Sequence, residues 1–344
     1  MAYIKAGDQR GIDCAREWTE ALQRTGLYHS LELPDGTVLE GLMKLDHQKK
    51  RLARFPLPAN LPGKRVLDIG CWDGWFSFEM ERRGAEVMAI DIIEREKFRM
   101  AHKLWNSKID FRVLDIDELT PATAGRFDII LFFGVLYHLR HPLLSLERVC
   151  QLTRDMALVE SFVIDDRLEP GRAILEFYET NELQGQMDNW YGPNTACLLA
   201  LCRAAGFARV ELGDVCDQRA PVTCYRHWEP VPAHPAQPPP EIVSVVNNRS
   251  CKTEFHKRKD EYASCYFKSI VPGLRPLDVK IEIDGYGYPA LSVTPQGGDG
   301  WQADIRFPQG LDPGQHAVRM RLEGSDYGNS VSVEVQPALT GEWL

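Results

Sequence analysis

The chain lacks the features that mark a secreted, membrane-spanning or zinc-binding protein. Its 344 residues include nine cysteines without a C-x-x-C pair, which predicts free, mostly buried thiols rather than a zinc site or a disulfide framework. The longest apolar run, residues 129–136, is far shorter than the about 20 residues of a membrane-spanning helix. The first 18 residues have no apolar stretch suited to a signal peptide. We therefore expect a cytoplasmic protein that does not enter a membrane.

Positive charge is also scarce. The sequence has 40 Lys and Arg residues against 49 Asp and Glu residues, and its formal net charge is −9. Proteins that bind nucleic acid broadly and without specificity carry a basic surplus. RNA is therefore a possible partner that the charge does not favour, although a local basic patch is compatible with an acidic total.

The length of the chain and one proline-rich segment predict several domains. A chain of 344 residues exceeds a typical single core. Residues 229–241, EPVPAHPAQPPPE, have the composition of a semi-rigid linker that cannot join a central sheet. We predict a helical cap over residues 1–60, an α/β domain over 61–228, this linker, and a C-terminal domain over 242–344.

The C-terminal domain has the pattern of an all-β fold. Short segments such as Val279 to Ile283 and Trp301 to Arg306 alternate apolar and polar residues, and Gly, Pro and Asp separate them. This pattern is typical of a small β-sandwich of Ig-like type. No group of catalytic residues stands out in it, so we expect it to dock a protein partner or to mediate oligomerisation.

The α/β domain alternates strand and helix patterns, which predicts a parallel, doubly wound, Rossmann-like sheet. The predicted strands are Arg65 to Ile69, Glu86 to Ile90, Asp110 to Leu114, Phe127 to Phe132 and Met156 to Ser161. The predicted helices are Trp75 to Arg83, Arg95 to Trp105, Leu143 to Leu152 and Thr195 to Gly206. Closing antiparallel strands are expected over Ala208 to Leu212 and Thr223 to His227.

The turn after the first of these strands indicates a nucleoside cofactor. Gly70 and Gly74 bracket the turn, and glycine lets a ligand lie against the main chain. Dinucleotide sites use G-x-G-x-x-G around a pyrophosphate, whereas this turn lacks that pattern and has Asp68 and Asp73 where phosphate charge would lie. Two carboxylates suit the ammonium and sulfonium groups of S-adenosylmethionine (SAM). Asp91 ends the second strand, where it is placed to bind ribose hydroxyls.

Residues that follow the next strand are candidates for adenine binding. Ligands of open α/β sheets bind beyond the carboxyl ends of the strands. Asp115 is placed to accept a hydrogen bond from the adenine amino group, and Ile116 to pack on the ring. The alternative is a simple turn that ends the strand.

The segment GVLYHLRH, after the strand that ends at Phe132, carries the candidate catalytic residues. We assign His138 as a general base for a hydroxyl, because the pKa of histidine lies near neutrality. We assign Tyr137 as a donor that positions cofactor or substrate, and Arg140 as an anchor for an anionic group. Alternatively, His138 and His141 only cap the next helix. We expect no metal site, because no carboxylate or thiol joins the two histidines at ligand spacing.

Residues 176–194 have the composition of a substrate lid, since polar groups alternate there with aromatic ones. The candidate substrate-binding residues are Glu176, Trp190, Tyr191 and Asn194. The alternative is an insertion packed on its own aromatic side chains.

Three segments together carry a family resemblance: VLDIGCWDGWFS, GVLYHLRHPLLSL and NWYGPNTACLLALCRAAGF. Over about residues 25–228 the chain resembles class I SAM-dependent methyltransferases related to the tRNA wobble-uridine (5-hydroxyuridine) methyl/carboxymethyltransferases. The resemblance implies cofactor contacts at Gly70, Asp91, Asp115, Ile116, Phe133 and Tyr137. The full predicted cofactor set adds Lys50, Asp68, Trp72, Asp73, Gly74 and Ile92.

The resemblance is incomplete for the carboxymethyl-transferring members of that family. Lys50 stands where those members keep a lysine for the extra carboxylate of their cofactor, but Leu45 stands where they have a tryptophan. No matching earlier lysine is found. Ordinary SAM and methyl transfer are therefore implied.

These observations predict a SAM-dependent methyltransferase that acts on a hydroxyl of a small molecule or saccharide, with a histidine base. One alternative is a tRNA wobble-uridine methyltransferase. Another is an inactive SAM-binding scaffold whose C-terminal domain recruits a partner.

Overall fold

A computed structural model describes residues 17–24, 26–33, 36–167, 171–257 and 260–338, which fall into two compact units. Unit 1 comprises the chain up to residue 201 together with residues 211–224, and unit 2 comprises residues 202–210 and the chain from residue 225 onward. No helix in these described ranges is long and apolar enough to cross a membrane. The predicted domain limits at residues 60, 228 and 241 stay predictions.

The first part of the chain, up to residue 225, contains all the α-helices of the described residues. The helices are α1 over residues 17–24, α2 (Leu45–Ala53), α3 (Trp75–Arg82), α4 (Glu96–Leu104), α5 (Pro121–Ala124), α6 (Pro142–Leu152) and α7 (Thr195–Ala204). Short 3₁₀ turns cover Ile116–Glu118, Leu136–His138 and Asp165–Arg167. The strands are β1 (Leu27–His29), β2 (Leu31–Glu32), β3 (Val38–Leu39), β4 (Gly41–Met43), β5 (Arg65–Ile69), β6 (Glu86–Asp91), β7 (Asp110–Val113), β8 (Phe127–Phe133), β9 (Thr153–Phe162), β10 (Leu175–Phe177), β11 (Tyr191–Pro193), β12 (Arg209–Leu212) and β13 (Arg219–Tyr225).

A seven-stranded sheet organises this part of the chain. Its strand order is β12-β13-β9-β8-β5-β6-β7, and the pairs β5·β6, β6·β7, β5·β8 and β8·β9 are parallel. β5 (RVLDI) and β8 (FDIILFF) are buried along almost their whole length, as strands covered by helices on both faces must be. The predicted Rossmann-like α/β fold is confirmed.

The sheet brings three strand ends to one place. The chain runs from β5 outward to β6 and β7, and then returns to the other side of β5 as β8. Such a reversal leaves a crevice beyond the carboxyl ends of the strands, and ligands of open α/β sheets bind in that crevice. The turns after Ile69, Asp91 and Phe133 therefore face a common space.

The segment before the sheet contains the helices α1 and α2, and short strands that were not predicted lie between them. Residues 27–43 form short strands, with β1 paired parallel to β4 and β2 paired antiparallel to β3. The backbone NH groups of Tyr28 and His29 donate to the carboxylate of Asp73, at 2.6 and 3.2 Å. This link across more than 40 residues holds the segment extended against the glycine turn, and local sequence patterns do not report it. The predicted turn over residues 34–36 lies largely outside the described residues.

Unit 2 is rich in strands. They are β14 (Glu241–Asn247), β15 (Glu254–His256), β16 (Tyr262–Lys268), β17 (Val279–Ile283), β18 (Tyr286–Pro289), β19 (Ser292–Gly297), β20 (Gly300–Arg306), β21 (Gly314–Leu322) and β22 (Tyr327–Gln336). They form a four-stranded sheet, β14-β16-β20-β19, and a five-stranded sheet, β15-β22-β21-β17-β18. Buried residues of both sheets, such as Cys265, Ile305, Ile281 and Val318, share one apolar core. The Ig-like assignment stays a prediction.

Candidate active site

A cavity of about 540 Å³ lies at the carboxyl edge of the seven-stranded sheet. It is lined by nine residues of the predicted cofactor set: Asp68, Gly70, Trp72, Asp91, Ile92, Asp115, Ile116, Phe133 and Tyr137. His138 lines the same cavity. These residues follow separate strands in the sequence, and the fold brings them to one cavity.

The glycine turn forms the floor of this cavity. Gly70 has φ +71°, and its NH donates to the carbonyl of Ile90 at 2.9 Å. A Cβ built on Gly70 would lie 2.6 Å from Cγ2 of Val135, so the position has no room for a side chain. The space that a side chain at Gly70 would need is therefore filled by Val135, and both residues line the cavity.

Asp68 is a buried acid beneath the turn. Its carboxylate accepts a hydrogen bond from Oγ of Ser77 at 2.5 Å. Burial, with a smaller contribution from the charge of Asp91, raises the pKa of Asp68 to about 7, even though the bond from Ser77 opposes the rise. A cation bound nearby would favour the ionised form of this carboxyl.

Asp91 is fixed at the end of β6 by two neighbours. Its carboxylate accepts hydrogen bonds from the NH of Trp72 at 3.2 Å and pairs with Nε of Arg95 at 2.9 Å. The guanidinium of Arg95 lies over the Trp72 ring, 3.8 Å from its centroid. These contacts hold the carboxylate at the cavity wall in one orientation.

The turn after β7 adds an acid and an apolar side chain. Asp115 caps the following 3₁₀ turn, accepting from the NH of Asp117 at 3.0 Å. The Asp115 NH donates to the carboxylate of Glu118 at 2.9 Å. Ile116 is almost fully buried and lines the cavity beside it. Asp115 and Ile116 therefore form a turn that ends the strand, as the alternative interpretation predicts, and they also line the cavity.

His138 has the hydrogen bonding of a neutral base. Its Nδ1 lies 3.2 Å from the carbonyl oxygen of Asp188, and a carbonyl oxygen can only accept, so Nδ1 carries the proton. In the uncharged ring, Nε2 then keeps its lone pair. Burial lowers the pKa of His138 below its ordinary value of 6.5, against the smaller opposing effects of Asp188. The imidazole is therefore uncharged at neutral pH.

Tyr137 is held in place by an arginine that local sequence patterns did not single out. Its Oη accepts a hydrogen bond from Nη1 of Arg219 at 2.7 Å. Burial raises the pKa of Tyr137, so the phenol stays protonated at neutral pH. Its hydroxyl hydrogen remains able to donate, as predicted for a positioning residue.

Three residues of the predicted cofactor set do not line the cavity, and their roles are corrected. The carboxylate of Asp73 is occupied by two backbone NH groups of β1. Gly74 begins α3 with φ +90°, and a Cβ there would lie 2.5 Å from the Phe98 ring, so its glycine serves helix packing. Lys50 is on the exposed face of α2, whereas the next residue, Arg51, reaches the cavity.

The predicted anchor and the lid aromatics also lie outside the cavity lining. Arg140 is exposed, and its guanidinium lies 4.8 Å from the ring centroid of Trp190. Tyr191 donates through its hydroxyl to the carbonyl of Arg140 at 3.4 Å, and Phe177 lies 5.7 Å from the Tyr191 ring. These residues form an aromatic cluster of their own, which agrees with the alternative interpretation of the insertion.

The other two predicted substrate residues have structural partners. Asn194 caps α7, its Oδ1 accepting from the NH of Cys197 at 2.9 Å, while its Nδ2 donates to the carbonyl of Arg172. Glu176 accepts from the hydroxyl of Tyr178 at 2.8 Å. The residues of this insertion that do reach the cavity are Gln184, Gln186 and Asp188.

Two arginines are the principal residues that the sequence analysis missed. Arg51 and Arg219 both line the cavity and surround Glu160, a buried carboxylate near the end of β9. Arg51 lies on α2 and Arg219 on β13, and a single arginine on a helix or strand is a weak sequence signal for a binding site. Their shared partner becomes visible only in the folded chain.

A metal centre is not formed by the residues that the structure describes: they contain no group of three or more His, Cys, Asp and Glu able to hold a metal ion. Acids and a histidine do lie at the cavity, but their partners are backbone groups, Ser77 and Arg95. The site is therefore organised around hydrogen bonds.

An open parallel sheet with a glycine turn after one strand and an acid ending the next is typical of nucleoside-binding Rossmann-like domains. Residues 43–212 match the family model described as "Methyltransferase domain". The chain thus contains a class I SAM-dependent methyltransferase domain, whose cofactor is S-adenosylmethionine.

The chain is similar to several known proteins over part of its length. A "Ubiquinone biosynthesis O-methyltransferase" of Xanthomonas campestris pv. campestris is 37% identical over 110 residues, which are 31% of this chain and 43% of that protein. The protein of the same name from Hahella chejuensis is 42% identical over 86 residues, 24% of this chain and 36% of that protein. The matches therefore span less than half the length of these relatives.

Solved structures give more distant matches. The N-terminal domain of EvdMO1 with S-adenosylhomocysteine (SAH) bound is 21% identical, covers 65% of this chain and 98% of that domain, and has a TM-score of 0.46. The 1,6-didemethyltoxoflavin-N1-methyltransferase of Burkholderia thailandensis is 18% identical, covers 64% of this chain and 82% of that one, and has a TM-score of 0.39.

Proposed function

We propose that this protein methylates a hydroxyl group of a small molecule or saccharide, with His138 as the general base. The observation that carries the proposal is the orientation of His138 in the cavity. Nδ1 is committed to a carbonyl oxygen, so Nε2 is left as the proton acceptor. A neutral imidazole with a free ring nitrogen suits the deprotonation of a hydroxyl.

The residues present fit the cofactor. Gly70 has no side chain and lines the cavity, so the methionine part of SAM would lie against its main chain, and the acid at Asp68 suits the ammonium group. Asp91 is oriented to accept from ribose hydroxyls, and Asp115 with Ile116 offers an acceptor and an apolar surface for adenine. Bound SAM supplies an electrophilic methyl group on a sulfonium sulfur.

The side chains divide the remaining work between them. His138 would take the proton of the acceptor hydroxyl at Nε2 and return it to water after the methyl group has been transferred. Tyr137, fixed by Arg219, orients the reacting groups. Alignment of this kind contributes much of the rate of a displacement reaction.

A hydroxyl acceptor is favoured over an amine for a chemical reason. A hydroxyl is a weak nucleophile that gains from a base as it attacks, whereas a neutral amine needs less help. The name O-methyltransferase, carried by the curated relatives, agrees with this choice.

The alternatives have less support. For a tRNA wobble-uridine methyltransferase a surplus of positive charge would be expected, and the formal net charge is −9. Lys50, the lysine that carboxymethyl transfer would use, does not line the cavity. An inactive scaffold would have no use for an oriented, neutral His138. We also propose a cytoplasmic location. The C-terminal domain is proposed to dock a protein partner or to mediate oligomerisation, and no particular site in it is assigned to that role.

A binding and turnover experiment tests this function. The protein is titrated with SAH by calorimetry, and is then incubated with methyl-labelled SAM and matched acceptors such as catechol and 1,2-diaminobenzene. We expect SAH to bind and label to enter the hydroxyl compounds, with saccharides tested in parallel. Label entering only the amine, or only tRNA, would contradict the proposal.

A further inference from the structure

A cluster of charged side chains beside the cavity has more positive than negative charge. Three arginines, Arg51, Arg54 and Arg219, surround Glu160, whose side chain is 1% exposed. Arg51 forms two hydrogen bonds with this carboxylate, at 2.8 and 2.5 Å, and Arg54 adds a third at 2.9 Å. Nη1 of Arg219 lies 3.8 Å from it and donates to Tyr137 instead. The carboxylate of Glu160 therefore lies within 4 Å of three guanidinium groups.

These arginines form one side of a second cavity, of about 390 Å³. Lys50 also lines it, and Lys50 forms no ion pair within the part of the chain that the structure describes. The only carboxylate among its lining residues is Asp217, and these residues all lie in the described ranges. We call this space, lined by Lys50, Arg51, Arg54, Arg219 and Asp217, the basic cavity.

The arrangement is unfavourable unless further negative charge is present. The arginine side chains are only 15 to 21% exposed, so water screens them weakly. Four basic side chains, those of the three arginines and Lys50, face two acidic ones, Glu160 and Asp217. Guanidinium groups bind carboxylates and phosphates through paired, charge-assisted hydrogen bonds. A bound oxyanion would supply the missing charge.

We propose that the basic cavity is a binding site for a carboxylate or phosphate group. Two of its residues, Arg51 and Arg219, also line the methyl-transfer cavity, so the bound anion lies directly beside it. The anion comes from one of two sources: an acidic group of the acceptor substrate, or a free small anion. The binding site itself does not depend on the proposed O-methylation, and only the acceptor source rests on it.

A native thiol provides the readout. Cys216 is exposed and lines the basic cavity, while Cys251 is an exposed thiol of unit 2. The full chain is alkylated with iodoacetamide, a neutral reagent, and the two cysteines are followed by peptide mass spectrometry. Inorganic phosphate is compared with chloride at equal ionic strength. We expect phosphate to slow the alkylation of Cys216 about tenfold at ten times its dissociation constant, by mass action, and to leave Cys251 unchanged.

Two neighbouring residues of α2 provide a matched pair of variants. Lys50→Gln removes a cation from the basic cavity, and Lys49→Gln removes one that pairs with Glu32 at 3.2 Å elsewhere on the surface. Losing a charge-assisted hydrogen bond should raise the dissociation constant for phosphate about tenfold in Lys50→Gln, so that the protection at the same phosphate concentration falls from about tenfold to about twofold. Lys49→Gln should not weaken it. Equal effects of the two variants, or equal protection by phosphate and chloride, would overturn the proposal.

Two further arms separate the sources of the anion. Repeating the measurement with saturating SAH tests the cofactor: if SAH alone protects Cys216 and phosphate then adds nothing, the cations bind the carboxylate of the cofactor and the proposal is wrong. Comparing 3,4-dihydroxybenzoate with catechol tests the acceptor. Protection by phosphate and by the carboxylated compound, but not by catechol, assigns the site to an acidic group of the acceptor, and protection by phosphate alone assigns it to a free anion. Because alkylation needs no turnover, failure of methyl transfer leaves this test intact.

Discussion

Replacing His138 by Gln should abolish base catalysis while leaving cofactor binding intact. General-base catalysis typically contributes a factor of about 10² to 10⁴, which corresponds to about 3 to 5 kcal/mol of activation free energy. The side chain lines the cavity, and its one bond within the described chain is made by Nδ1 to Asp188, so glutamine can fill much of the same space. We expect kcat to fall by that factor and the SAH dissociation constant to stay the same.

The pH dependence of this reaction provides a second readout. The base works only when it is neutral, so the rate should rise with pH through the pKa of His138. Burial lowers this pKa, and the midpoint of the rise should therefore lie below 6.5. In the His138→Gln variant the rise should disappear. The assay is release of SAH from SAM with a saturating hydroxyl acceptor, measured across the pH range.

His141→Gln is the matched control, since His141 is a nearby exposed histidine that does not line the cavity. It should leave both the rate and the pH profile unchanged. If His138→Gln keeps the wild-type rate, or keeps the same rise with pH, proton transfer to His138 is not part of the mechanism.

Three further outcomes are expected. Asp91→Asn should weaken SAH binding about tenfold or more in calorimetry, because it removes a charged acceptor. Asp110 is an exposed carboxylate on β7, and Asp110→Asn should leave SAH binding unchanged. Gly74→Ala should destabilise the domain by about 1 to 3 kcal/mol more than Gly63→Ala in urea unfolding, because both have positive φ but only Gly74 has a ring 2.5 Å from the added Cβ. In the wild type, the free energy of unfolding should fall as pH rises from about 4 to 7, by at most about 1.4 kcal/mol per pH unit, and Asp68→Asn should remove this fall in urea unfolding without cofactor.

The sign of the Asp68 effect follows from its raised pKa. The unfolded carboxyl has a pKa of 3.8 and the folded one about 7, so between these values the folded state binds more protons. Stability from this group is therefore present at low pH and is lost as pH rises toward 7. An unchanged pH slope in Asp68→Asn would contradict this reasoning. Equal losses in the two glycine variants, or in the two aspartate variants, would contradict the other two predictions.

The sheet could be predicted from the sequence because each strand carries its own signal. β5 and β8 are short, mainly apolar runs, as is typical of strands that are buried on both faces. Gly70 and Asp91 follow directly from that pattern, since the carboxyl ends of parallel strands meet at one edge. These site residues were accessible because their positions depend on local structure.

The remaining site residues depend on distant partners. Asp73 was predicted to meet a cation, but its carboxylate binds NH groups from more than 40 residues earlier in the chain. Lys50 and Arg51 are adjacent on one helix, and only the rotation of α2 in the folded chain decides which of them faces the cavity. Arg219 becomes a site residue only through Tyr137, 82 residues away. Pattern reasoning has no access to contacts of this kind.

The most direct test of the central claim is the identity of the atom that receives the methyl group. Wild-type protein and His138→Gln would be incubated with SAM carrying a ¹³C-labelled methyl group and a panel of hydroxylated small molecules and saccharides, and the products analysed by NMR. We predict a new labelled O-methyl signal with the wild type and a signal reduced about 10² to 10⁴-fold with the variant. Labelled N-methyl or C-methyl products, or an equal O-methyl yield from both proteins, would contradict the account.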